Sequence, residues 1–190
     1  MAATSSTGDR GKEFIRGLHP GLLPCILLMS QIDDLLAANG RFAATFRPIT
    51  ERRPRRHLAV LTCLDARINV LEAYGLELGD AAILRNAGGR VTDDVLRSLA
   101  ISGHVLEVDT VVVLQHTNCG LSGVSQEGLE ELTGATLPFL PISDHTATLR
   151  ADVALLASTP YLLPITTIVG MLFDVDSGVI EEVACWKRTA

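Results

Sequence analysis

Apolar residues in this chain fall into two arrangements: short unbroken blocks, and stretches spaced three and four positions apart. The blocks His57–Thr62, Asp80–Asn86, Asp109–Gln115 and Ile165–Val175 are rich in Val, Leu and Ile. Continuous apolar runs of this length predict buried strands of a parallel sheet. A further block, Val179–Ala184, follows the turn signal Asp176-Ser177-Gly178, which predicts a hairpin and an antiparallel edge strand. Between the blocks lie helical patterns. Thr92-Asp93-Asp94 caps a stripe of Val95, Leu96, Leu99, Ala100 and Val105, predicting a helix to Leu106. Ser30 opens a helix over Gln31–Asn39, and Gly40 is suited to end it. Shorter helices are predicted from Ile68 to Gly75 and from Gln126 to Leu132, and Ser143 caps another through Asp144–Leu156. Strands alternating with helices define an α/β fold, a mainly parallel β-sheet flanked by helices with an antiparallel edge strand, in a single domain.

The first 20 residues are polar and lack sustained periodicity, so a loose N-terminal extension over 1–28 and a folded domain over 29–190 are expected. Arg47–Arg56 carries five arginines and two prolines and reads as a solvated connector entering the first strand. With 190 residues the chain holds one sizeable core. Hydrophobic residues make up 47% of it, more than a small monomer hides easily, which points to a homo-oligomer. The net charge of -6 gives no basic footprint for nucleic acid. No run reaches the roughly 20 apolar residues of a membrane span. Four cysteines are too few for a disulfide scaffold, and in a reducing cytoplasm they read more readily as metal ligands.

Two of those cysteines sit at strand ends. Cys63-Leu64-Asp65-Ala66-Arg67 follows the first strand, and His116-Thr117-Asn118-Cys119 follows the third. Functional groups in open α/β sheets gather beyond the carboxyl ends of parallel strands. If the two strands are neighbours, Cys63, His116 and Cys119 converge, and two thiolates with an imidazole are a usual donor set for zinc with one position open. Without a metal, the same three are simply buried residues. Asp65 leaves two further options: it binds the metal and closes the site, or it forms a two-point pair with Arg67 and leaves the fourth position to water. Zinc lowers the pKa of bound water from about 15.7 to about 7, so the second option is a hydration or hydrolysis centre.

The set Cys63-Leu64-Asp65-Ala66-Arg67, Arg85-Asn86-Ala87-Gly88 and His116-Thr117-Asn118-Cys119-Gly120 resembles the β-class carbonic anhydrases, and Thr92–Leu99 resembles their compact bacterial branch. The likeness runs from about Met29 to the C-terminus. It implies a cytoplasmic zinc enzyme, a carbonate dehydratase, interconverting carbon dioxide and bicarbonate by attack of zinc-bound hydroxide. It also implies Cys63, His116 and Cys119 as ligands, and Asp65 with Arg67 as a dyad that opens or blocks the site. Gly88 and Gly89 are then expected beside the substrate cleft. The smallest working unit is expected to be a homodimer, with the helix over Gln31–Asn39 across the partner subunit. Enzymes similar to this family hydrolyse carbon disulfide or carbonyl sulfide, and a non-catalytic zinc protein with Asp65 as fourth ligand is the third reading.

The chain departs from the family pattern in three ways. Ala66 stands where Ser is more usual, the substrate-orienting glutamine typical of the plant-like branch is not identifiable, and residues 1–28 have no counterpart and read as an upstream-start extension or appended sequence. Of the other histidines, His57, His104 and His145 read as surface or structural residues, and Cys25 and Cys185 as free interior thiols.

Overall fold

The computed structural model describes residues 23–189, with side chains described from Gln31 onward; of the loose extension expected over 1–28, residues 1–22 lie outside the described residues and 23–28 are helical. The chain divides at Pro48 into two compact units. In the first, helix α1 spans Leu23–Thr45. It is longer than the periodicity over Gln31–Asn39 predicts at both ends. Gly40 does not stop it, because one interior glycine costs only about 1 kcal/mol and Arg41-Phe42-Ala43-Ala44 carry the helix on. Ile32, Leu35, Leu36 and Phe42 keep helical spacing along α1 and are exposed, as is Phe46 just beyond its end.

The second unit holds one five-stranded sheet: β1 (Leu58–Cys63), β2 (Ala81–Asn86), β3 (Thr110–His116), β4 (Thr167–Phe173) and β5 (Ile180–Lys187), in the order β2-β1-β3-β4-β5. The first four strands are parallel, and β5 pairs antiparallel with β4 at one edge, as the hairpin signal predicts. The other edge is β2, whose alternating burial departs from the fully buried strand its composition suggests. With a neighbour on one side only, it covers less of itself.

The strands β1 and β3 are neighbours at the centre of the sheet, and their period of two feeds two cores. Ala59, Leu61, Val111 and Val113 face one side, where α3 (Asp93–Leu106) supplies Val95 and Leu99 and α5 (His145–Ser158) supplies Leu149, Val153 and Leu156. Val60, Val112 and Leu114 face the other, against Val70 and Tyr74 of α2 (Val70–Tyr74) and against Cys63, Cys119 and Ile142. Among the described residues the remaining α-helix is α4 (Gln126–Thr133). Thr92 caps α3 as expected. Asp144, not Ser143, caps α5, its carboxylate accepting from the Ala147 N–H at 3.1 Å. A charged oxygen is the better partner for the positive end of a helix.

The arginine-rich connector is partly tied down. Arg55 donates to Asp80 Oδ1 at 2.9 Å through Nε, and the Arg55 and Arg56 amides donate to the Gly79 and Asp80 carbonyls. Arg53 pairs with Glu107 at 2.9 Å. Among the described residues no helix is long and apolar enough to cross a membrane.

Candidate metal centre

The parallel pairing of β1 with β3 brings the two ligand-bearing strand ends side by side. The Sγ atoms of Cys63 and Cys119 stand 3.9 Å apart. With a ring nitrogen of His116 they form a buried group whose donor atoms all lie within 4.8 Å of one another. Two sulfurs each about 2.3 Å from a tetrahedral zinc stand about 3.8 Å apart, so the spacing suits the ion. The turn between the strand end and Cys119 depends on Asn118, which adopts the left-handed conformation at φ 51. Asparagine tolerates that region better than most residues with a side chain.

His116 supplies the clearest test of fit. Its Nδ1–H donates to the Thr117 carbonyl at 2.8 Å, which leaves Nε2 of the neutral ring as a bare acceptor. Nε2 is fully buried and has no hydrogen-bond partner among the described residues. Asp65 Oδ2 is 3.7 Å away, too far for a hydrogen bond. A buried acceptor without a partner is costly, whereas a metal ligand of this kind normally donates its other N–H to a carbonyl, as here. Burial also pushes the ring's pKa down, keeping it neutral and able to ligate. Burial pushes the Cys119 thiol up, with the nearby Cys63 adding to the effect. A divalent cation between the sulfurs reverses that preference, because metal binding releases thiol protons. The residues present fit zinc.

Asp65 and Arg67 form the two-point pair rather than a fourth-ligand arrangement. Arg67 donates to Oδ1 through Nε at 2.9 Å and to Oδ2 through a terminal nitrogen at 2.7 Å. The Arg67 amide adds a third bond to Oδ1 at 2.9 Å. Those bonds hold the Asp65 carboxyl well below the usual carboxylate range. The same guanidinium donates to the Asn118 carbonyl at 3.0 Å, tying the dyad to the turn that carries Cys119.

Beside these groups opens a cavity of about 180 Å³, walled by Leu64, Ala87, Gly88 and Leu121. Gly88 lines this cavity, while Gly89 is not among its lining residues; a Cβ on Gly89 would meet the Cys63 amide nitrogen at 3.0 Å.

Two working residues went unread in the sequence beyond their place in a motif. Arg85 spends its guanidinium on the carbonyls of Cys63 (2.9 Å), Asp65 (2.6 Å) and Ile68 (3.2 Å), bracing the segment that carries Cys63 and the dyad. Asn86 accepts from the Arg90 amide at 2.9 Å and donates to the Arg90 carbonyl at 2.7 Å, closing the glycine turn. The pairing of Arg-Asn with Ala-Gly at a strand end was their only signal. Of the other candidates, His57 and His104 are exposed and bond backbone carbonyls. His145 is half-buried within a polar network. Cys185 is free but exposed, not interior, because it sits on the edge strand, and the Cys25 side chain lies outside the described residues.

An α/β sheet that delivers two thiols and an imidazole from adjacent strand ends, with a guanidinium-held carboxylate alongside, defines a zinc hydration or hydrolysis enzyme. Residues 58–149 match the carbonic anhydrase family. The chain is 34% identical over 161 residues to β-carbonic anhydrase 1 of Mycobacterium bovis, covering 82% of this chain and 99% of that protein. The crystal structure of a carbonic anhydrase from Streptococcus mutans superposes with a TM-score of 0.73 at 39% identity, covering 80% of this chain and 97% of that one. A carbon disulfide hydrolase from Saccharolobus solfataricus shares 46% identity over 66 residues, 35% of this chain and 32% of its own length. The chain belongs to the β-carbonic anhydrase family. Family, fold and the Cys-His-Cys cluster together support a zinc-dependent carbonate dehydratase.

Proposed function

We propose that this chain reversibly hydrates carbon dioxide to bicarbonate and a proton, with Cys63, His116 and Cys119 holding zinc and residues 29–190 as the catalytic domain. The observation that carries the reading is His116 Nε2, buried and unpartnered beside two thiols. Zinc when bound supplies a Lewis acid that brings the ionisation of water to about neutral pH. Asp65, ionised and held by Arg67, is an acceptor only. With Oδ2 3.7 Å from His116 Nε2, it accepts one hydrogen of the attacking water and orients it. Arg67 keeps that carboxylate from becoming a ligand itself, which weighs against a closed structural site. Leu64, Ala87 and Leu121 offer an apolar wall to an uncharged, linear substrate, and the proton released leaves to solvent.

An apolar wall suits carbon disulfide equally well, and 66 residues of the chain match a carbon disulfide hydrolase at 46% identity. Zinc-loaded protein assayed against both substrates separates the readings. Turnover of carbon dioxide supports this one, and hydrogen sulfide release from carbon disulfide without carbon dioxide hydration overturns it.

The working unit in this reading is a homodimer, supported by the exposed Ile32, Leu35, Leu36 and Phe42 along α1. Light scattering that returns a monomer contradicts it. A cytoplasmic setting is proposed because Cys63 and Cys119 must stay reduced to ligate.

A further inference from the structure

A second polar cluster lies behind the metal centre, built around a carboxylate that the hydration chemistry does not use. Asp152 of α5 has a side chain only 4% exposed. Arg90 grips it twice, through Nε at 2.8 Å and a terminal nitrogen at 3.3 Å. Gln115 Nε2 approaches at 3.4 Å. Gln115 Oε1 faces His145 Nδ1 at 3.1 Å, and His145 Nε2 faces Ser122 Oγ at 3.2 Å.

The direction of every bond in this chain follows from its first member. An ionised carboxylate only accepts, so Gln115 presents its amide nitrogen to Asp152 and its oxygen to His145. An amide oxygen only accepts, so His145 carries its proton on Nδ1. Its Nε2 is then an acceptor, and Ser122 donates to it. Burial favours the neutral imidazole that this arrangement needs.

Each branch ends on a segment that carries a metal ligand. Gln115 precedes His116 on β3. Ser122 donates its amide to the Cys119 carbonyl at 2.9 Å. Arg90 closes the turn whose Gly89 is pressed against the Cys63 amide, and Asn86 pins it there. Arg90 also donates to the Leu140 carbonyl at 2.7 Å. Buried ion pairs roughly break even as a source of stability, so energy alone does not explain this one. Its geometry does.

We propose that Asp152 is a positioning residue for the zinc centre, fixing the segments of Cys63, His116 and Cys119 at once through Arg90, Gln115 and the tautomer of His145. The inference rests on those three residues being the ligands. Outer partners of metal ligands typically contribute about 10- to 100-fold in metal affinity.

The test compares wild type, Asp152→Asn and Gln115→Met as full-length protein. Zinc release to a chelator, the visible spectrum of the cobalt-substituted protein, and the His145 tautomer by nitrogen-15 NMR are read for each. In Asp152→Asn the new amide donates to Gln115, the Gln115 amide turns over, and His145 moves its proton to Nε2. Zinc is expected to leave about 10- to 100-fold faster, with shifted cobalt bands. Gln115→Met leaves the Arg90–Asp152 pair intact and carries the test should Asp152→Asn fail to fold; it is expected to speed zinc release as well. Wild-type zinc release and cobalt bands in every folded variant, with changes confined to melting temperature, overturn the proposal. A wild-type protein without cobalt–thiolate bands overturns the ligand assignment itself, and the proposal with it.

Discussion

Gly89 and Cys63 meet backbone to backbone: a Cβ on Gly89 would stand 3.0 Å from the Cys63 amide nitrogen and 3.1 Å from the Leu114 carbonyl oxygen. The turn after β2 is thereby seated on the ends of β1 and β3, where the ligands leave the sheet. Gly89 also sits at φ +62, a conformation a side chain resists.

Gly89→Ala is therefore expected to destabilise the protein by about 1 to 3 kcal/mol and to lower zinc content by displacing Cys63. Thermal melting with metal analysis checks this. An unchanged melting temperature with full zinc would show that the contact yields without cost.

Arg67→Ala frees Asp65 from its two-point clamp. The carboxylate, 3.7 Å from His116 Nε2, would then be free to serve as a fourth ligand to zinc held by Cys63, His116 and Cys119. Zinc is retained and turnover lost. Metal analysis paired with hydration kinetics reads the two separately, and full activity in this variant contradicts the role given to the dyad.

Asp80 anchors the connector to the start of β2 and predicts a pH effect on stability. The Glu77 amide, followed by Arg55, holds its carboxyl below the ordinary carboxylate range. A folded pKa below the unfolded one adds stability that is complete above the unfolded value and is lost as pH falls through the folded value. Asp80→Asn should lower the melting temperature at neutral pH, and the gap to wild type should close in acid. A gap that stays constant down the pH series contradicts the assignment.

Much of the sheet was readable because β1 and β3 are buried on both faces, and a strand with no wet side has no choice but to be apolar throughout. The convergence of Cys63, His116 and Cys119 was readable for a related reason: polar groups at the carboxyl ends of adjacent parallel strands leave short motifs directly after those apolar blocks. Local signals failed where competition was close. Gly40 resembles a helix stop, but its cost is small beside the good helix formers after it. Ser143 and Asp144 are both capping residues, and the charge decided between them. Asp152 was invisible for a different reason. On α5 it is one polar residue among many, and only the fold brings it to Arg90 and Gln115, 62 and 37 positions away. The bracing by Arg85 is of the same kind, since its targets are carbonyls, which every residue has.

The most direct test of the central claim is stopped-flow carbon dioxide hydration on protein of measured zinc content, comparing wild type with Cys63→Ser from neutral to mildly alkaline pH. Wild type is expected to carry one zinc per chain and to hydrate carbon dioxide faster as pH rises, while Cys63→Ser loses metal and activity together. Full hydration activity in Cys63→Ser, or none in zinc-replete wild type at any pH, would contradict it.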